Sequence, residues 1–85
     1  PVGFVSYGGN SGGLRAVEQL RLVFAELHAV TLRDSVSFAS AWHQFDERGE
    51  LIDAVPAQKS LARMMAKMHW WASTLRSARR QRPYT

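Results

Sequence analysis

Six residues near the amino end carry most of the chemistry this sequence offers. Gly8-Gly-Asn-Ser-Gly-Gly13 holds four glycines in six positions. Such a stretch adopts backbone angles closed to other residues and lets the main chain approach whatever sits above it. The letters Gly9-Asn-Ser11-Gly-Gly13 also match a nucleophile elbow. An elbow needs an acid and a histidine later in the fold, and the glycine density fits a ligand-cradling loop better. No Gly-Lys-Ser/Thr follows, so this is not a Walker loop, and the Gly-x-Gly-x-x-Gly dinucleotide spacing is missing. His28, His43 and His69 are scattered without metal-ligand spacing and read as structural or surface residues. Asp46, Glu47, Glu50 and Asp53 lack the alternating ligands of a calcium loop and read as a solvated turn. No side chain is assigned a catalytic role, and no metal is expected.

The elements around the loop explain its importance. Val2–Tyr7 is a short apolar run without strict alternation, as suits a strand covered on both faces of a parallel sheet. A helix is expected from Leu14 to Leu27, with Leu14, Val17, Leu20, Phe24 and Leu27 as its buried stripe. Ser11 is the candidate N-cap. Leu22 and Ala25 fall off the stripe, as scattered surface residues or as part of a subunit contact. Ala29–Leu32 reads as a second strand, and Ser35–Phe38 either extends it or begins an excursion. Strand, helix and strand make a βαβ unit with a right-handed crossover. The loop then joins the carboxyl end of a strand to the amino end of a helix, where open α/β sheets bind ligands. Free amides and the positive helix end favour anionic or electron-rich groups there.

Residues 39–55 read as irregular, with a tight turn at Gly49. A last helix should begin near Pro56, which fits the first helical turn because it has no amide proton of its own to leave unpaired. Its apolar face is Leu61, Met64, Met68, Trp71 and Leu75, with Met65 and Ala72 beside it, and Pro83 stops it.

Composition sets the outer bounds. The 85 residues are 46% hydrophobic and 21% charged, which fits one small globular domain or a piece of a larger one. There is no cysteine, which excludes disulfides, thiolate metal sites and a cysteine nucleophile. No apolar run approaches the roughly 20 residues of a membrane helix, and no signal segment opens the chain, so a cytoplasmic location is expected. The sequence starts at Pro1 and enters an apolar strand at once, which predicts that the first half of a larger domain is missing. Residues 1–53 carry four arginines against seven acids, a net −3, whereas residues 54–85 carry seven cations and no acid. The basic segment reads as a solvated helix face. Its competing reading is a small module that meets nucleic acid. Against that, Trp70 and Trp71 are adjacent rather than spaced as a stacking platform.

Pro1-Val-Gly-Phe-Val-Ser-Tyr-Gly-Gly-Asn-Ser-Gly-Gly13, followed by Leu14-Arg-Ala-Val-Glu-Gln-Leu-Arg21, resembles the fourth strand, flavin loop and next helix of NADPH-dependent FMN reductases. Val36-Ser-Phe38 and Phe45-Asp-Glu-Arg-Gly49 are similar to that family's last segment. The resemblance implies an α/β fold: a partial flavodoxin-like β-α-β-α arrangement, the C-terminal half of a doubly wound parallel sheet of order 2-1-3-4-5. It implies that residues 1–85 are the C-terminal part of one domain whose first three strands are absent. It implies FMN as cofactor and NADPH as co-substrate, with electrons passed to a quinone or free flavin, in a homodimer; from the residues themselves no membrane partner is expected, and the nucleic-acid reading is the less favoured one. The flavin-binding residues it implies are Tyr7, Gly8, Gly9, Asn10, Ser11, Gly12 and Gly13. The family's phosphate loop, Gly-Ser-x-Arg, and its Pro-Glu-Tyr-Asn segment have no counterpart in this sequence. An inactive remnant is the other alternative.

Overall fold

The computed structural model describes all 85 residues, Pro1–Thr85. Strand β1 (Val2–Tyr7) leads through the glycine loop into helix α1 (Leu14–Glu26), then strand β2 (Thr31–Phe38). A 3-10 turn at Ala41–His43 and a long helix α2 (Val55–Gln81) complete the chain. β1 and β2 are parallel neighbours with α1 as the crossover, the βαβ unit the sequence predicts.

β2 is twice the expected length. Ser35–Phe38 continues the strand begun near Ala29–Leu32, and the strand's start moves to Thr31. The polar run Arg33-Asp-Ser35 hides this continuity. Val2 pairs with Thr31 and Phe4 with Ser35, so one residue of β1 faces three of β2 in a bulge. Arg21 supports the bulge from α1: its Nη1 donates to the Leu32 carbonyl at 2.6 Å and its Nη2 to that of Arg33 at 3.3 Å. The same guanidinium lies 5.2 Å from the centre of the Phe4 ring.

The two helices cover opposite faces of the sheet. Phe4 points toward α1 and meets Phe24 edge-on at 5.9 Å, with Val17 buried on the same helix. Side chains alternate along a strand, so Gly3 faces the other way. A Cβ there would lie 3.1 Å from Met64 Sδ and 3.2 Å from Met68 Cε, on α2. Met64 packs with Leu32 and Val36 in a small core flanked by Phe38, Met68 and Trp71. Asp34, also on β2, accepts from Lys67 Nζ at 2.8 Å.

The apolar stripes are only partly used. On α1 only Val17 is buried and Phe24 half-buried, while Leu14, Leu20 and Leu27 are exposed, contrary to the sequence expectation. Two strands cannot cover the full width of the stripe. Leu22 is exposed as well. On α2, Met64 is buried, Met68, Trp71 and Leu75 half-buried, and Leu61 and Met65 exposed. Pro56 sits in the first turn of α2, as expected. The Asp53 carboxylate accepts the Val55 amide at 3.1 Å and so serves the helix start. The helix ends at Gln81, ahead of Pro83.

α1 ends in a Schellman arrangement. The His28 amide donates to the Ala25 carbonyl at 3.1 Å and the Ala29 amide to Phe24 at 3.0 Å. His28 holds the left-handed position at φ 62°. Of the acids at residues 46–53, Asp46 likewise builds structure. Asp46 Oδ1 accepts the amides of Arg48 and Glu50 at 2.9 and 3.0 Å, with Gly49 at φ 77° between them.

Candidate functional site

The loop from Tyr7 to Gly13 lies at the carboxyl end of β1, and its two ends meet. A Cβ on Gly8 would stand 2.9 Å from the Gly13 nitrogen, and one on Gly13 would stand 2.7 Å from the Tyr7 carbonyl oxygen. Only residues without side chains close the turn this tightly. Gly12 and Gly13 both take left-handed angles, φ 62° and 81°, which glycine adopts without penalty. A Cβ on Gly12 would run into Ser37 Oγ. Gly9 differs: a Cβ there meets only Trp42, at an ordinary 3.8 Å. Three of the four glycines therefore shape the loop, and the fourth leaves an open place on it.

Side chains of both strands clamp the loop. Ser6 Oγ donates to the Gly12 carbonyl at 2.7 Å and Ser37 Oγ to the same oxygen at 2.8 Å. The segment after β2 adds a second tie. The Ser40 amide donates to the Gly9 carbonyl at 2.8 Å, the Ala41 amide to Gly8 at 3.0 Å and the Gly8 amide to Phe38 at 3.1 Å. Sequence reasoning missed Ser6, Ser37 and Trp42. A serine in a strand carries no signal of the carbonyl it reaches 6 or 25 residues away.

The N-cap of α1 differs from the expected one. Gly13, not Ser11, occupies that position, and no side chain caps α1. The left-handed pair Gly12–Gly13 separates Ser11 from the helix start, so Ser11 contributes its carbonyl, which accepts the Leu14 amide at 3.0 Å. The amides of Gly9, Asn10 and Ser11 donate to no protein group. Asn10 and Ser11 are exposed, as is Tyr7 at 76%. Of the seven predicted residues, Tyr7 ends β1 and Gly8–Gly13 form the loop, with unused donors at Gly9, Asn10 and Ser11 on its outer stretch and a fourth at Gly13, where it meets α1.

The remaining titratable groups lie elsewhere. His28 meets the Tyr84 hydroxyl at 2.7 Å near the far end of the sheet. His43 lies in the 3-10 turn and His69 on α2. No three His, Asp or Glu side chains converge into a metal-ligating group. No helix is long and apolar enough to cross a membrane. Lys67 is engaged with Asp34, while Arg76, Arg79, Arg80 and Arg82 stand exposed at the end of α2 and just beyond it.

A parallel βαβ unit followed by a second helix, with a glycine-built loop at the strand's carboxyl end, makes this an α/β protein with a partial flavodoxin-like β-α-β-α arrangement. The sequence model of the NADPH-dependent FMN reductases matches residues 1–43, which span β1, the loop, α1, β2 and the 3-10 turn. The chain belongs to that family. Neither the curated proteins searched nor the solved structures searched contain a match.

The loop suits the group this family name implies. The unpaired amides of Gly9, Asn10 and Ser11 could donate to the polar edge of a flavin, and the open space at Gly9 would admit a flat ring. α1 begins behind the loop and adds the positive end of its dipole.

Proposed function

We propose that this chain is the C-terminal half of an NADPH-dependent, FMN-containing oxidoreductase, and that Tyr7–Gly13 holds the isoalloxazine ring. The observation that carries the reading is the set of free amides at Gly9, Asn10 and Ser11, on a loop inside the family-matched segment. Bound FMN would supply the redox chemistry, taking a hydride from NADPH and passing electrons to a quinone or free flavin. The chain's own part is positional and electrostatic. In this reading the amides would stabilise negative charge gathering on the reduced ring without a titrating side chain. Ser6 and Ser37 fix the Gly12 carbonyl, so the donors are set before the ring arrives. Residues 1–85 form one domain with three further strands of the intact protein, which acts as a cytoplasmic homodimer in this reading.

The test is fluorescence titration of FMN and stopped-flow reduction by NADPH in the full-length protein. Stoichiometric binding is expected, weakened when Gly9 is replaced by valine. A full-length protein that takes up no FMN overturns the reading.

A further inference from the structure

The tryptophan nearest the glycine loop is not one of the pair on α2 but Trp42. It stands in the 3-10 turn that folds back over the loop, after Ser40 in a left-handed conformation at φ 47°. The main chain holds this turn in place through the Ser40 and Ala41 amides, which donate to the Gly9 and Gly8 carbonyls. The indole itself is not needed for that attachment. Its Cη2 lies 3.8 Å from where a Cβ of Gly9 would be, and the residue is 66% exposed. The one aromatic ring it meets is His43, tilted at 60° with centres 5.7 Å apart. A large aromatic surface is thus held beside unused hydrogen-bond donors.

We propose that Trp42 is a ligand-contacting residue of this site: a planar, electron-poor ring seated on the amides of Gly9, Asn10 and Ser11 packs against the Trp42 indole. The inference rests on the reading above, in which that ring is the isoalloxazine of FMN. The loop and the indole then favour different redox states. The amides favour the reduced ring, which gathers negative charge. The electron-rich indole favours the oxidised, electron-poor ring. Trp42 therefore holds the flavin potential down while adding affinity for the oxidised form.

The experiment uses the full-length protein, its W42A and W42F variants, and FMN as the probe. Stacking on an aromatic side chain is worth enough that W42A should weaken oxidised FMN binding roughly tenfold, and W42F less. FMN should quench tryptophan emission less in W42F than in the wild type. The midpoint potential of bound FMN should move to more positive values in W42A, because the oxidised form loses more. A merely structural role predicts the opposite sign, since a displaced loop loses the amides that favour the reduced form. An unchanged dissociation constant with an unchanged potential, or a potential moved negative, overturns the proposal. If wild-type protein binds FMN normally while the variants do not differ from it, only the Trp42 inference fails. If the wild type binds none, both fail.

Discussion

At the scale of single residues, the four loop glycines separate into two kinds. Gly12 is buried, left-handed and directly against Ser37 Oγ. Valine there would force a strained angle and a clash, at a cost of about 3 kcal/mol. Gly9 has room for a Cβ and an unremarkable backbone angle. Valine at Gly9 should leave the melting temperature of the full-length protein unchanged and weaken FMN binding at least tenfold. Valine at Gly12 should lower the melting temperature as well. Thermal melts paired with FMN titrations separate the two, and equal melting losses in both variants would contradict the assignment. Composition reveals the glycine cluster, yet what closes each position is not local in composition: Gly8 and Gly13 are closed by the loop's own backbone, and Gly12 by Ser37, 25 residues further along.

The histidines follow the same logic of contacts over composition. His28 closes α1 in the left-handed region, where a residue with a Cβ is disfavoured. Replacing His28 by glycine should leave stability unchanged or raise it by about 0.5 kcal/mol, the relief at the turn being partly offset by the lost Tyr84 contact. Alanine at His43 or His69 should leave the rate of flavin reduction by NADPH within about twofold of wild type, since neither belongs to the loop. Stopped-flow traces of the two variants check this. A hundredfold loss in either would assign that histidine to the chemistry.

At the scale of elements, β1, α1 and the start of α2 are legible because each carries a local signal: an apolar run, a glycine cluster, a proline in the first turn. β2 is harder to read. Its middle, Arg33-Asp-Ser35, is polar because it bulges at the sheet edge and its partners are distant in sequence. Arg21 answers its carbonyls from α1, and Lys67 answers Asp34 from α2. The Lys67 hydrogen bond, aided by the nearby positive charges of Lys67, Arg33 and Arg63, holds the Asp34 carboxyl below its ordinary 3.8 against the opposing effect of burial. A depressed folded-state value means that the ion pair stabilises the fold above the unfolded value and is lost as pH falls through the folded one. Asn at Asp34 should therefore lower the melting temperature near neutral pH. The gap to wild type should close as pH drops below about 3.8, and narrow in high salt. Melting curves against pH check the sign. A gap that widens in acid would mean that the pair does not couple α2 to β2.

At the scale of the whole molecule, the chain leaves more surface uncovered than a self-sufficient domain does. Its accessible area is 6698 Å² for 9.6 kDa. A compact monomer of that mass exposes about 5,100 Å². Its radius of gyration is 15.5 Å, against about 12 Å for a compact chain of this length. The excess has identifiable sources. α2, 27 residues long, lies mainly over β2 and leaves Val5 and Tyr7 of β1 open at 63% and 76%. Leu20, Leu22, Val23 and Leu27 stand open on α1. β1 pairs along one edge only, so its other backbone groups are free to recruit another strand. In the proposed parent, missing strands, their helices and a second subunit would cover these surfaces. The isolated 85 residues should consequently melt without a sharp cooperative transition and associate at micromolar concentration. Calorimetry with light scattering measures both, and a monomeric, cooperative melt would contradict the expectation. The same isolated chain should bind FMN no tighter than about millimolar. In the proposed site three amides and one indole would reach only the ring, and a few such contacts do not offset the entropy of association once the phosphate is left without a partner. Micromolar binding of FMN by these 85 residues would show that the loop alone forms a complete site, and that the rest of the flavodoxin-like sheet serves another purpose.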